Sequence, residues 1–313
     1  MTDGGSRSEA WLKARIAWMH FVGGVNQNQI AATYGMSRAT VSRIITRARN
    51  DGTVKIQLTV PLNDCLDLAD RLQTRFGLNM AIVIPTAPDY ADLQRSIGET
   101  AGDYLDGLIR DSGGLALGWG RTLSFAVNRL TVSMGPDYDV VGLMGSRPYG
   151  STSNPFEVIS TAAQRTGGTG HYMTVPILVE DPALRRMLLG HQEVGHVLSL
   201  AARSDVALVA CGDLSERNLM MSIASVREAA EALREAGAVG DLLGTFLDGD
   251  GNPVDHPINE QIVAAPLANL REKSATILAA GGENKVPIIR SLLKGRYIDH
   301  LVTDEATATR LIA

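Results

Sequence analysis

The chain has 313 residues, 45% of them hydrophobic and 20% charged, with a net charge of −5, the profile of an ordinary globular protein. That length allows two domains with cores of their own. No apolar run approaches the roughly 20 residues of a membrane span, and MTDGGSRSEA lacks the apolar core of a signal peptide.

Charge is divided unevenly. Residues 1–58 carry eight basic residues against three acidic, and the remainder twenty-one against thirty-one. A head of +5 on a body of −10 predicts a polyanionic partner confined to the N-terminus. Cys65 and Cys211 lie far apart with no Cys-x-x-Cys, as expected of thiols in a reducing cytoplasm.

In chain order, residues 1–8 read as a small, polar tail, and Glu9 to Val22 as a helix with apolar surface from Trp11, Ile16, Trp18, Met19 and Val22, ended by Gly23-Gly24. Gln27 to Arg49 then carries a helix-turn-helix pattern. Ala31 is small where a second helix would cross, Gly35 supplies the turn, and Val41 anchors the second helix. Ser37 suits its N-cap. With Val41, Ile44, Ile45 and Ala48 inward, the opposite face holds Arg38, Ser42, Arg43, Thr46 and Arg47; with Gln27, Ser37 and Thr40 these are the candidate contacts to base edges and phosphates of double-stranded DNA. The bland alternative is a helical hairpin with a solvated basic face. Val54 to Leu58 alternates as a strand should, and the boundary is placed after it, giving domains 1–58 and 59–313.

From there helices and apolar strands alternate. Helices are predicted over Asp64–Phe76 (with Leu66, Ala69, Leu72 and Phe76 inward), Leu93–Arg110, Thr122–Leu130, Met187–Leu200 and Ile223–Ala236. Strands are predicted at Met80–Ile84, Leu115–Gly118, Val140–Met144, Val206–Ala210 and Thr276–Ala279. This pattern predicts an α/β fold: a Rossmann-like, doubly wound parallel sheet behind the N-terminal helix-turn-helix. Such sheets bind ligands where strands end and helices begin. Gly118-Trp119-Gly120-Arg121-Thr122 and Gly281-Gly282-Glu283-Asn284-Lys285 occupy that position, with backbone amides and a lysine suited to an anion. Either could equally be a plain tight turn. Asp213 and Asp248 are further candidates, Asp213 for a hydroxyl or as a helix cap. His191, Glu193 and His196 are spaced wrongly for a zinc helix, Pro253 breaks the calcium-loop pattern after Asp248, and no metal or cofactor is expected.

Taken together these residues resemble the SorC family of sugar-responsive bacterial transcriptional regulators. The resemblance runs through the helix-turn-helix, the Gly118–Thr122 loop, Asp205–Asp213, the Asp248 segment and the C-terminal run from Ala280 to Ile312. It implies an effector domain similar to sugar-phosphate isomerases and deaminases, homodimers or homotetramers, and effectors that are small sugars, polyols or sugar phosphates. Carried over by position, the effector loops are Gly118–Thr122 and Gly281–Lys285, with Gly145 in the loop after the Val140 strand. Some relatives place a Schiff-base lysine in that loop. Here the position is Met144, so covalent capture is not expected. Trp119 and Asn154-Pro155-Phe156 are similar to the polyol-catabolism subgroup. An isomerase or deaminase with an appended DNA-binding head is the alternative, without a paired acid and base to support it.

Overall fold

The computed structural model describes residues 3–54, 63–147 and 155–313. The chain divides into two units, Met1–Pro61 and Leu62–Ala313; the boundary expected after residue 58 lies outside the described residues, as do residues 55–58 of the expected strand and Asn154.

The first unit contains α1 (Asp3–Phe21), α2 (Gln27–Tyr34) and α3 (Arg38–Asn50). Asn26 and Gln29 form a reciprocal capping box at the start of α2, and Gly35, at φ 62°, ends it in the left-handed region that a side chain would strain. Ser37 caps α3 by accepting from the Thr40 amide at 3.1 Å. Ile16, Ile30, Ala31, Val41 and Ile45 are buried together, with Met36 and Ile44 partly buried against them. Two expectations fail here. The tail is helical from Asp3 onward, since extending a nucleated helix costs little per residue. Trp11, Trp18 and Val22 face outward, at 59–70% exposure, because the slender stripe around Ile16 and Ala17 already fills this small core.

The second unit begins with α4 (Asn63–Phe76), β1 (Met80–Ile84), α5 (Tyr90–Leu108), β2 (Gly114–Leu117) and α6 (Arg121–Val127). There follow β3 (Asp139–Gly142), α7 (Pro155–Thr166), β4 (Thr169–His171), α8 (Pro182–Leu189), α9 (Gln192–Arg203), β5 (Val206–Val209) and β6 (Cys211–Gly212). Next come α10 (Ala224–Glu228), α11 (Ala230–Glu235), β7 (Gly240–Leu242), β8 (Thr245–Leu247) and α12 (Pro257–Gln261). The chain closes with β9 (Ala275–Ala279), α13 (Val286–Lys294), β10 (His300–Asp304) and α14 (Glu305–Ile312).

Among the described residues, seven strands form one parallel sheet in the order β1-β10-β9-β5-β2-β3-β4. Alternate residues serve opposite faces: Leu115, Leu117, Val206 and Leu208 join the core under α5, α6 and α7, whereas Ala116, Ala207 and Val209 join the core under α4, α9 and α13. Both faces are thus covered, and the fold is the expected doubly wound α/β sheet. A small antiparallel sheet, β6-β7-β8, follows β5.

Several elements differ from the expectation. The helix expected over Met187–Leu200 is two, α8 and α9, interrupted at Gly190-His191, and Ile223–Ala236 breaks at Ala229 into α10 and α11. Leu66 is 62% exposed, because Cys65, Leu68, Ala69 and Leu72 form the buried stripe of α4. Strands β4, β6, β7, β8 and β10 escape the sequence reading; the first four span only two or three residues.

The topology locates the crevice. From β2 the chain moves outward through β3 and β4, then returns to place β5 on the other side of β2. The loops leaving β2 and β5 therefore diverge toward opposite faces, which opens a gap at the strand carboxyl ends.

One wall of that gap depends on two glycines. A Cβ on Gly98 would lie 2.4 Å from the Thr122 carbonyl oxygen, and one on Gly102 2.2 Å from that of Ala126. Only glycine lets α5 approach α6 so closely. Gly102→Ala should therefore destabilise the protein by about 1–3 kcal/mol, seen as a lower urea midpoint; an unchanged midpoint would refute this close packing.

Candidate functional site

Three loops meet at the carboxyl ends of β2, β5 and β9, with the start of α5 as a fourth side, around a cleft of about 340 Å³. After β2, Gly120 adopts φ 126°, ψ 163°, a conformation open to glycine, and turns the chain into α6. Trp119 is half-buried against the core, Arg121 projects to the rim and Thr122 is buried. After β5 come Cys211, Gly212 and Asp213. Gly212 is obligatory, because a Cβ there would sit 2.3 Å from the Asp241 carboxylate and 2.4 Å from the Asn218 amide nitrogen. After β9, Gly282 takes φ 101° and the Glu283–Lys285 turn delivers Lys285 to the floor of the cleft.

The floor is polar, buried and interlinked. Asn218 donates to the Asp213 carbonyl oxygen (2.6 Å) and to one Asp241 carboxylate oxygen (2.7 Å), while the other Asp241 oxygen accepts from the Gly244 amide (3.0 Å). Asp213 accepts from the Ser215 hydroxyl (2.8 Å) and from the Asn284 side chain. Burial pushes the Asp241 carboxyl up to about 6, against the pull of Asn218, the Gly244 amide and Lys285. Burial also opposes the charge on Lys285, but Cys211, the Tyr90 hydroxyl and Asp213 around it more than offset this and raise its pKa. Lys285 is thus a cation at neutral pH. Burial pushes the Cys211 thiol up to about 12, so it stays protonated there.

At the rim, Arg121 has no hydrogen-bond or ion-pair partner among the described residues, and the Arg217 guanidinium lies 5.1 Å over the Tyr90 ring. Neither arginine forms an ion pair with a carboxylate among the described residues. Two exposed guanidiniums and a buried ammonium therefore face one small cleft, beside two carboxylates with unused lone pairs.

Of the sequence candidates, Trp119, Gly120, Arg121, Thr122, Asp213 and Lys285 line this cleft together. Gly118 is buried just behind it, and Gly282 supports it beneath Tyr90. Two candidates lie elsewhere. Gly145 is wedged against the 175–177 segment, where a Cβ would meet the Val175 carbonyl oxygen at 2.6 Å, and its amide donates to Val263. Asp248 shapes its own turn: despite slight burial, the amides of Asn252 and Asp250 hold its carboxyl below the usual range. Met144 is buried and offers no amine. Sequence reasoning missed Tyr90, Arg217, Asn218 and Asp241. Asp241 sits in a three-residue strand without periodicity, and its Gly-Asp pair, though like Gly212-Asp213, recurs at Gly102-Asp103 and Gly249-Asp250 and so does not single it out.

In the first unit, Arg38, Arg43, Thr46 and Arg47 are exposed along α3, Thr40 and Ser42 are half-buried beside them, Ser37 is exposed at the cap, and Gln27 begins α2. Arg43 folds back on the Ala39 carbonyl and the Thr40 hydroxyl through contacts of 3.4 Å, long enough to exchange for a better acceptor. Val41, Ile45 and Ala48 hold the opposite face inward, so α3 presents cations on one side only.

Residues 60–313 match the family described as a putative sugar-binding domain. Along nearly its whole length the chain is similar to the erythritol catabolism regulatory protein EryD of Brucella abortus, with 29% identity over 304 residues and 96% of each chain covered. It is also similar to the deoxyribonucleoside regulator of Bacillus subtilis, 27% identical with 98% of each chain covered. Among solved structures it is similar to the full-length sorbitol operon regulator SorC of Klebsiella pneumoniae, with a TM-score of 0.74 and 27% identity, covering 98% of this chain and 100% of that one.

The raised carboxyl of Asp241 predicts a pH dependence of definite sign. A carboxyl whose pKa is higher folded than unfolded binds more protons in the native state, so its contribution to stability falls as pH rises from about 4 to about 6. The stability of the wild type relative to Asp241→Asn should decline over that window and level off above it. A flat difference from pH 4 to pH 7 in urea midpoints would contradict the burial of an ionisable Asp241.

Proposed function

The chain belongs to the putative sugar-binding-domain family of SorC-type transcriptional regulators, and from that premise we propose that its operator binding is controlled by a phosphorylated sugar or polyol held in the cleft at the carboxyl ends of β2, β5 and β9. The observation that carries this reading is the convergence of Lys285, Arg121 and Arg217 on one cleft of about 340 Å³, the two arginines without a carboxylate partner among the described residues. A phosphate dianion satisfies three such donors, whereas a neutral sugar leaves the two rim guanidiniums without a counter-ion. Asp241 and Asp213 each keep lone pairs free beside the cations, and these suit hydroxyl donors of the same ligand. The cleft volume sits at the small end of ligand sites, in keeping with a single small carbohydrate.

Binding on this reading is non-covalent. A Schiff base needs a neutral amine, Lys285 is held as a cation by its surroundings, and Met144 stands where some relatives have a lysine. The role is sensing rather than turnover. Burial raises the Asp241 carboxyl toward the range of a general base, but Asn218 and the Gly244 amide already hold both its oxygens as acceptors.

The output falls to α3, read here as the helix that enters the major groove, with Arg38, Arg43 and Arg47 on bases and phosphates and Ser37, Thr40, Ser42, Thr46 and Gln27 around them. One such helix buries too little to select a site, so we read the working form as a homodimer or homotetramer on paired half-sites. The effector acts by binding two arrangements of that oligomer with different affinity.

Melting temperatures against pentoses, hexoses and polyols, each free and phosphorylated, test the cleft. A ligand at 100 times its Kd adds about 2.7 kcal/mol, or roughly 5–10 °C for a domain this size. Phosphorylated ligands should give the shift, and Lys285→Ala should abolish it; a shift produced by free polyols alone would exclude the phosphate. Arg43→Ala should lose operator binding in a gel-shift assay while keeping the effector-induced shift in melting, and retention of operator affinity would remove α3 from its assigned role.

A further inference from the structure

Asp304 ends β10, which runs between β1 and β9 in register with Ile84 opposite Asp304 and Val302 opposite Ala279. The side chain therefore emerges between the loops that follow those two neighbours. One carboxylate oxygen accepts from the Gly282 amide (3.1 Å) and from the Thr307 hydroxyl, whose oxygen accepts from the same Gly282 amide (2.8 Å); the other accepts from the Thr86 hydroxyl (2.7 Å) and, at 3.4 Å, the Thr307 amide. Thr86 accepts in turn from the Ala306 amide at 2.9 Å. Asp304 is 0% exposed and forms no ion pair among the described residues.

Capping α14 accounts for the bonds to Thr307 alone. The bonds to Gly282 and Thr86 reach back 22 and 218 residues, and both targets begin a wall of the cleft. The Gly282 carbonyl accepts from the Lys285 amide at 2.9 Å, so the turn presenting Lys285 starts there. Thr86 precedes Tyr90 by four residues, and Tyr90 covers Gly282 so closely that a Cβ would come within 3.1 Å of its ring. Tyr90 and Lys285 line the same cleft.

We propose that Asp304 is a positioning residue of the effector cleft: with one buried carboxylate it holds the Gly282 amide and the Thr86 hydroxyl, and so fixes Lys285 and Tyr90 relative to each other. The proposal rests on the reading of the cleft as a phosphate-binding site and adds a buried group that sets its geometry without touching the ligand.

The test is calorimetric titration of the full chain with glycerol 3-phosphate, the smallest phosphorylated polyol, well below the melting temperature of each variant. Asp304→Ala should weaken binding about tenfold or more, the scale expected when more than one hydrogen bond is lost. Asp304→Asn keeps an acceptor for Gly282 and a good helix cap, and should recover to within about threefold of the wild type. Thr86→Val leaves the α14 cap intact and should still weaken binding, by about threefold or more. Affinity of Asp304→Ala within about twofold of wild type would overturn the proposal, as would an Asn variant no better than Ala. Should Asp304→Ala fail to fold, Thr86→Val decides, and unchanged affinity there overturns it equally. Lys285→Ala separates the two levels. If it binds like wild type, or wild type does not bind at all, the phosphate reading fails and takes this proposal with it. If Lys285→Ala loses binding while Asp304→Ala keeps it, only the role of Asp304 is overturned.

Discussion

The adjacency of β2 and β5 is the constraint on which the second unit depends. Neither strand contributes a polar side chain: Gly114–Leu117 and Val206–Val209 are buried throughout and satisfy their backbones only by pairing with one another and with their other neighbours. Because the chain leaves them toward opposite faces of the sheet, the space at their carboxyl ends cannot be filled by either departing loop. The cleft follows from winding direction, before any side chain is chosen to line it.

What lines it is governed by the cost of burying charge. An ammonium or a carboxylate withdrawn from water is stable only if hydrogen bonds and opposite charges replace the solvent. Lys285 finds Tyr90 and Asp213 within its own floor, and Asp241 finds Asn218 and the Gly244 amide. These partners leave the groups only partly satisfied, which is the condition of a site that recognises something. On the proposed reading, the two exposed guanidiniums at the rim follow the same logic at lower cost, since water solvates them in the absence of an anion. Glycine at 212, 240 and 282 makes the arrangement possible. A side chain at Gly212 would occupy the space of the Asp241 carboxylate, and one at Gly240 would strike the Gly212 carbonyl at 2.3 Å.

The first unit solves a different problem with the same economy. Five buried aliphatic side chains and two caps hold three helices in place, the third with cations on one face. On the proposed reading, the basic character of this unit and the acidic character of the rest keep the polyanion and the effector on separate parts of one chain. Nonspecific attraction of DNA to the effector unit is thereby disfavoured.

Local rules were enough to read much of this from the sequence. Periodicity gave α2, α3, α4, α5 and the central strands, because each is long enough, or apolar enough, for burial to leave a pattern. Glycine at turn positions pointed to the loops of Gly118–Thr122 and Gly281–Lys285, and Lys285 with them. The elements that escaped are those whose stability comes from neighbours distant in the chain. Strands β6 and β7, of two and three residues, exist because they pair with each other, and β10 is recognisable as a strand through its pairing with β1 and β9. Asp241, Asn218, Tyr90 and Asp304 become functional candidates through contacts that span from 22 to 218 residues. Asp248 and Gly145 looked eligible by position, yet the packing of their own turns turned them away from the cleft. The sequence by itself determined the fold class, the head carrying the basic helix and two of the loops, since short-range periodicity and backbone freedom are written residue by residue. Which polar groups share one buried volume was decided by tertiary structure alone, because burial and charge neutralisation are properties of a place in space that separate segments must jointly create.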